Sequence, residues 1–128
     1  MTNELNRYKR PLENKAKLGF RGYPIATIAF YGPDDLTATK IAVGIILGKR
    51  QEPAHLQRWF SIKDIRRDTE VWREIYEFVS KHKARSVAMP TEIMGCPHEE
   101  GIDYPLGGYC PKCPFWKGRT RWIDEIAE

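Results

Sequence analysis

Residues 25–31, Ile25-Ala26-Thr27-Ile28-Ala29-Phe30-Tyr31, form an apolar run bounded by turn chemistry on its C-terminal side. Seven such residues without a charge read as a β-strand buried on both faces. Gly32-Pro33-Asp34-Asp35 stops the strand, because each of these residues favours a turn. A second apolar run follows from Lys40 to Leu47, with Ile41, Val43, Ile45 and Ile46 in it, and it predicts an antiparallel partner for the first.

Outward from this hairpin the pattern stays legible. Gly48 to Pro53 is a turn, and residues 55–61 read as a third, more exposed strand in preference to a short helical turn. Residues 62–67 are polar and loop-like. A helix is expected from Asp68 or Thr69 to about residue 82, since either residue can cap its first turn. Val71, Ile75, Phe78 and Val79 mark its buried stripe, Trp72 and Tyr76 widen it, and Glu77 with Lys81 makes an i,i+4 pair. Ser86 to Met89 reads as a short strand, parallel to an earlier one because it follows a helical crossover. The fold class expected is α/β (α+β), a small mixed sheet in β-β-β-α-β order with a C-terminal metal module. A first strand apolar on both faces needs cover on both. The helix supplies one layer, and the metal module or the N-terminal segment is left to supply the other.

The metal module is read from Gly95-Cys96-Pro97-His98 and Tyr109-Cys110-Pro111-Lys112-Cys113-Pro114, which together hold all three cysteines. Two close pairs of soft or borderline ligands, separated by a loop, suit a tetrahedral zinc-knuckle-like site built by Cys96, His98, Cys110 and Cys113. The odd cysteine count opposes a closed disulfide framework, whereas three thiols and one imidazole complete a zinc set. The prolines fix turn backbone and leave the remaining amides to point at sulfur. Glu92, Glu99, Glu100 and Asp103 read as solvated loop acids, and His55 and His82 as structural or surface histidines.

Composition is that of a folded domain, with 41% hydrophobic and 12% aromatic residues in 128. No apolar run approaches the roughly 18 residues that span a bilayer, and the N-terminus has no apolar signal core, so cytoplasmic residence and no membrane partner are expected. The net charge of +4 is concentrated in residues 1–21, which carry six cations against Glu4 and Glu13. Three segments follow: a basic N-terminal arm over 1–22, read as irregular because Pro11, Gly19 and Gly22 interrupt it; an α/β core over 23–90; and the zinc module with a closing helix, about 120–127, over 91–128.

Gly95 to Trp116, GCPHEEGIDYPLGGYCPKCPFW, resembles the tail of a group of small uncharacterised bacterial proteins. Their upstream half has a strand similar to Ala26–Asp34. That likeness implies a bacterial, cytoplasmic, zinc-containing protein and brings no activity with it. The element order also resembles the core of ribonuclease H-like domains, which bind magnesium through an acid in the middle of the first strand; residues 25–31 contain none. A third resemblance is to zinc deaminases, H-x-E … P-C-x-x-C, with Glu100 as proton shuttle. Here Tyr109 stands at the proline position, only nine residues separate Glu100 from Cys110, and Cys96 would fill the coordination position that catalysis keeps open.

The functional expectation is a non-catalytic, zinc-stabilised protein that binds RNA or DNA. Arg7, Lys9, Arg10, Lys15 and Lys17 would contact phosphates, with Lys117, Arg119 and Arg121, beside Trp116 and Trp122, as a second patch. The alternatives are a protein–protein adaptor presenting the 99–109 loop through Ile102, Tyr104, Leu106 and Tyr109, and, third, a zinc hydrolase, deaminase or degenerate nuclease.

Overall fold

In the computed structural model, residues 2–98, 102–103 and 110–116 are described, residues 2 and 3 by their backbone alone. Glu99, Glu100, Tyr104, Leu106, Tyr109, Lys117, Arg119, Arg121, Trp122 and the expected closing helix lie outside them.

The first strand, β1 (Ile25–Tyr31), is central in a four-stranded mixed sheet. β2 (Lys40–Ile46) pairs antiparallel to it, with Ile28 opposite Val43, and β3 (His55–Phe60) pairs antiparallel to β2. The main helix, α2 (Thr69–Lys81), then crosses over to β4 (Ser86–Ala88), which lies parallel to β1. The sheet order is therefore β3-β2-β1-β4, and the architecture is α+β with the expected β-β-β-α-β core.

Four expectations need correcting, three of them within the core. β1 is not buried on both faces: its residues alternate between half-buried and buried, with Ala26, Ile28 and Phe30 turned to the core. The middle of the opposite face carries Thr27, Ala29, Ala42 and Gly44, small groups that need less cover than an aliphatic surface would, with Ile25, Ile46 and Tyr31 at its ends. Residues 62–67 are not simply a loop, because a 3₁₀ turn at Ile65–Arg67 drives Ile65 fully into the core and is tied by Arg66 to the Asp64 carboxylate and the Leu36 carbonyl. Glu77 pairs backwards with Arg73 rather than forwards with Lys81.

The N-terminal segment is the largest correction. It is not an irregular arm but a helix, α1 (Thr2–Lys17), with Pro11 inside it. Leu5, Tyr8, Leu12 and Ala16 recur at helical spacing and pack against the core. Pro11 removes one backbone bond, at a cost of about 3 kcal/mol in a helix interior. Tertiary contact offsets it: Leu12 is buried, Tyr8 meets the Tyr76 ring at 5.9 Å, and the Lys9 ammonium lies 5.5 Å from the Trp72 ring centre. Packed beside α2 and next to β4, α1 thickens the helical layer and does not cover the sheet's other face.

α2 starts where Asp68 accepts from the Val71 amide, a side-chain cap. Trp72, expected only to widen the stripe, is fully buried at the centre of the layer, 6.0 Å from Phe30, with its indole N–H donating to the Arg66 carbonyl.

Past β4 the chain returns to β1. Ile93 forms a parallel bridge with Phe30, the Met94 amide donates to the Phe30 carbonyl at 2.7 Å, and the Gly32 amide donates to the Gly95 carbonyl at 2.9 Å. Gly32 is a point of close approach: a Cβ there would stand 1.9 Å from the Thr37 carbonyl oxygen. Gly32→Ala should therefore destabilise the fold by about 1–3 kcal/mol, the usual range for overpacking. Urea denaturation checks this, and an unchanged midpoint would show that the 32–38 turn yields freely.

Candidate metal centre

The β1 end that Gly32 closes is also the platform for the cysteines. Residues 93–95, held along β1, deliver Cys96 to the sheet end. The Lys40 side chain, 4% exposed, donates to the Pro97 carbonyl at 3.0 Å and lies 5.2 Å from the Tyr31 ring centre. From the other side, the Trp116 indole N–H donates to the Gly32 carbonyl at 2.8 Å, a buried bond that docks the Cys110–Trp116 turn on β1. Two turns far apart in sequence thus meet over one strand end.

Their ligand atoms converge. One atom from each of Cys96, His98, Cys110 and Cys113 lies within 4.8 Å of every other. The His98 Nδ1 faces all three sulfurs, at 3.2 Å from Cys96, 3.3 Å from Cys110 and 3.6 Å from Cys113. The cysteines are free thiols and all are buried, while His98 is half-buried. The four residues are arranged to hold a metal ion, as the spacing predicts.

The local electrostatics suit a cation. Burial pushes the Cys96 and Cys113 thiols up, and for Cys113 the neighbouring sulfurs add to the effect. Cys110 is also opposed by burial, but the Cys96 thiol and the backbone amides of Lys112 and Cys113 more than offset it and lower its pKa. The His98 amide points at the Cys96 sulfur from 3.3 Å. These amides are those the prolines were expected to leave for sulfur. A bound cation would displace protons from the remaining thiols, so metal binding and proton binding compete.

The other predicted residues divide. Arg7, Arg10 and Lys17 are exposed on α1. Lys9 and Lys15 are engaged within the fold, Lys9 over Trp72 and Lys15 donating to the Ala84 carbonyl at 2.9 Å. Trp116 is buried and tethers the metal turn, so it is not a stacking surface. Ile102 and Asp103 are exposed, and Asp103 helps line a groove of about 810 Å³ that runs past Lys40, Phe60, Pro97 and His98. Sequence reasoning gave Lys40 no role; a lysine opening a β-branched run carries no signal of burial. It also treated His55 and His82 as separate, whereas their rings stack at 4.1 Å between β3 and the end of α2. No helix among the described residues is long and apolar enough to cross a membrane.

No protein-family model matches the chain, and neither a curated protein nor a solved structure matches it.

Trp116→Phe would leave the Gly32 carbonyl buried without its donor. A loss of about 1–3 kcal/mol is expected, read by chemical denaturation of the metal-loaded protein. No loss would mean that the Cys110–Trp116 turn docks without this bond.

Proposed function

We propose that the protein is a zinc-stabilised, non-catalytic binding protein whose partner is nucleic acid. The observation that carries the metal half is the Nδ1–sulfur spacing. A tetrahedron with Zn–S near ~2.3 Å and Zn–N near ~2.0 Å has S···N edges of about 3.5 Å. The three spacings of 3.2, 3.3 and 3.6 Å bracket that value. Three soft thiolates favour zinc over hard, oxygen-seeking cations. The set supplies four protein ligands, and a catalytic zinc keeps one position for water. Cys96 takes the position that a deaminase would leave open, which favours a structural role.

The nucleic-acid half is supported by charge. Arg7, Arg10 and Lys17 form an exposed basic stripe on α1, the geometry a phosphate backbone can follow. The adaptor reading depends on the 99–109 loop, of which only Ile102 and Asp103 are described, and no specific observation favours it.

Purified protein is expected to carry about one zinc per chain by elemental analysis, from the four-ligand stoichiometry. A strong chelator should lower its melting temperature, and Cys113→Ser should abolish metal retention. Folded, metal-free protein with unchanged melting would end the zinc reading. For the partner, log affinity for a labelled oligonucleotide should fall linearly with log salt. Absence of binding to RNA and DNA alike at low salt would end that reading.

A further inference from the structure

The topology gathers charge that the sequence scatters. Ile25 is paired with both Ile46 and Ser86, and His55 with Ile45, so one end of the sheet holds the start of β1, the end of β2 and the starts of β3 and β4. The C-terminal ends of both helices arrive there too. The Lys15 ammonium reaches the Ala84 carbonyl, and the Arg21 amide donates to the buried Ser86 hydroxyl at 2.6 Å. The His55–His82 stack joins the start of β3 to the end of α2.

Three loops, two of them taken together with the last residues of the helices that lead into them, therefore share this end, opposite the metal centre. The first, residues 15–21, contributes Lys15, Lys17 and Arg21. The second, residues 47–53, contributes Lys49 and Arg50. The third, residues 81–85, contributes Lys81, Lys83 and Arg85. Eight cations stand against one carboxylate, Glu52. Taking these from the chain's 21 cations and 17 carboxylates leaves 13 against 16, so the rest of the molecule is net acidic. All but Lys15 are exposed, and among the described residues no carboxylate forms an ion pair with any of them. Helix-dipole complementarity accounts for Lys15, Lys17 and Lys81 at the helix ends. It does not account for Arg21, Lys49, Arg50, Lys83 or Arg85, which lie outside both helices.

Exposed apolar groups sit among the cations. Phe20 is 64% exposed and meets Tyr23 edge-on at 5.2 Å, and Leu18 and Leu47 are 59% and 51% exposed. An aromatic ring framed by cations is the composition of a base-stacking platform. The charge also turns a corner. Arg7, Arg10, Asn14 and Lys17 are exposed at i+3 and i+4 steps along α1, and the row ends with the helix at Lys17, where the domain end that holds Arg21 begins. A flexible polyanion can follow a side and then an end; a flat bilayer meets one or the other.

We infer that the three-loop end of the domain is the phosphate- and base-contacting surface, and that its partner is single-stranded nucleic acid. The inference rests on the nucleic-acid reading above and relocates its centre from the N-terminal segment to a composite of three loops. Lys49, Arg50, Lys81 and Lys83 contact phosphates that α1 alone cannot reach, and Phe20 stacks on a base.

The test uses the zinc-loaded full chain, fluorescence anisotropy with labelled 20-mers of oligo(dT) and oligo(U), and two loop variants, K49Q/R50Q and K81Q/K83Q. Each variant should keep the parent's melting temperature. Each should weaken binding by roughly tenfold or more near ~0.1 M salt and reduce the salt slope by about 1.4, because each phosphate contact to a single strand contributes about 0.7. Phe20→Ala should weaken binding about fivefold or more with the slope unchanged, the signature of lost stacking rather than lost charge. Parent binding with both loop variants unaffected would overturn the composite surface and leave the α1 reading standing. No parent binding to either oligomer would sink both. Sedimentation with phosphatidylserine vesicles, in the absence of oligonucleotide binding, would assign the surface to a membrane instead and overturn the inference. Comparison of the two oligomers separates RNA from DNA.

Discussion

Three sulfurs and an imidazole nitrogen brought within 4.8 Å of one another are the constraint that joins the Cys96–His98 turn to the Cys110–Trp116 turn. Without a cation, burial pushes the Cys96 and Cys113 thiols up, and the neighbouring sulfurs add to this for Cys113. Neutral thiols bond only weakly to each other. With a cation, the same four atoms become the strongest link in that part of the molecule, because metal-binding free energy is folding free energy wherever the site does not exist in the unfolded chain. The strand end beneath it is built to receive that link. Gly32 donates through its amide to Gly95 and accepts through its carbonyl from Trp116, and Lys40 holds Pro97. One short stretch of sheet thus anchors both halves of the site.

The sheet separates two kinds of chemistry. At the end formed by Tyr31, Lys40 and Phe60 stand the thiols, the imidazole and a groove; at the end formed by Ile25, Ile46 and Ser86 stand the cationic loops. Strand direction explains the division, since β1, a parallel β4 and an antiparallel β2 bring loops distant in sequence to the same end. Concentrated positive charge is tolerated there because water screens it and little apolar surface depends on it. The exposure of Phe20, Leu18 and Leu47 does not follow from the same reasoning and is what gives the charged end a chemical character beyond its sign.

How much of this could be read from the chain depended on whether local pattern or three-dimensional placement decided the feature. The four strands and α2 were legible because β-branched runs, turn residues and a capping aspartate act locally. The Cys96, His98, Cys110 and Cys113 cluster was legible because metal-ligating residue types announce themselves by spacing. α1 was hidden by Pro11 and by cations on three sides of a narrow apolar stripe of Leu5, Tyr8, Leu12 and Ala16, whose stability comes from packing on α2 rather than from intrinsic preference. The half-open nature of β1 was hidden because Thr27 and Ala29 fit either a buried strand or a small-residue outer face. Lys40, the His55–His82 stack and the three-loop charge cluster left no trace in the linear pattern, since each depends on elements distant in sequence being brought together.

The distance between the two ends bears on what the metal does. Seven strand residues at about 3.3 Å each put roughly 20 Å between the cysteine cluster and the basic loops. Only groups within about one Debye length, ~8 Å in physiological salt, feel an exposed charge strongly. A cation on the sulfurs would therefore have no direct electrostatic purchase on an anion at the far end, and three thiolates would more than neutralise its own charge. What the metal can transmit is rigidity, through Gly32 into β1 and from β1 into the pairings that fix Ile46 and Ser86. On the reading proposed above, a metal held there would support the cationic end as a foundation does, by keeping the strand register that brings the three loops together, and any contacts would belong to the loops.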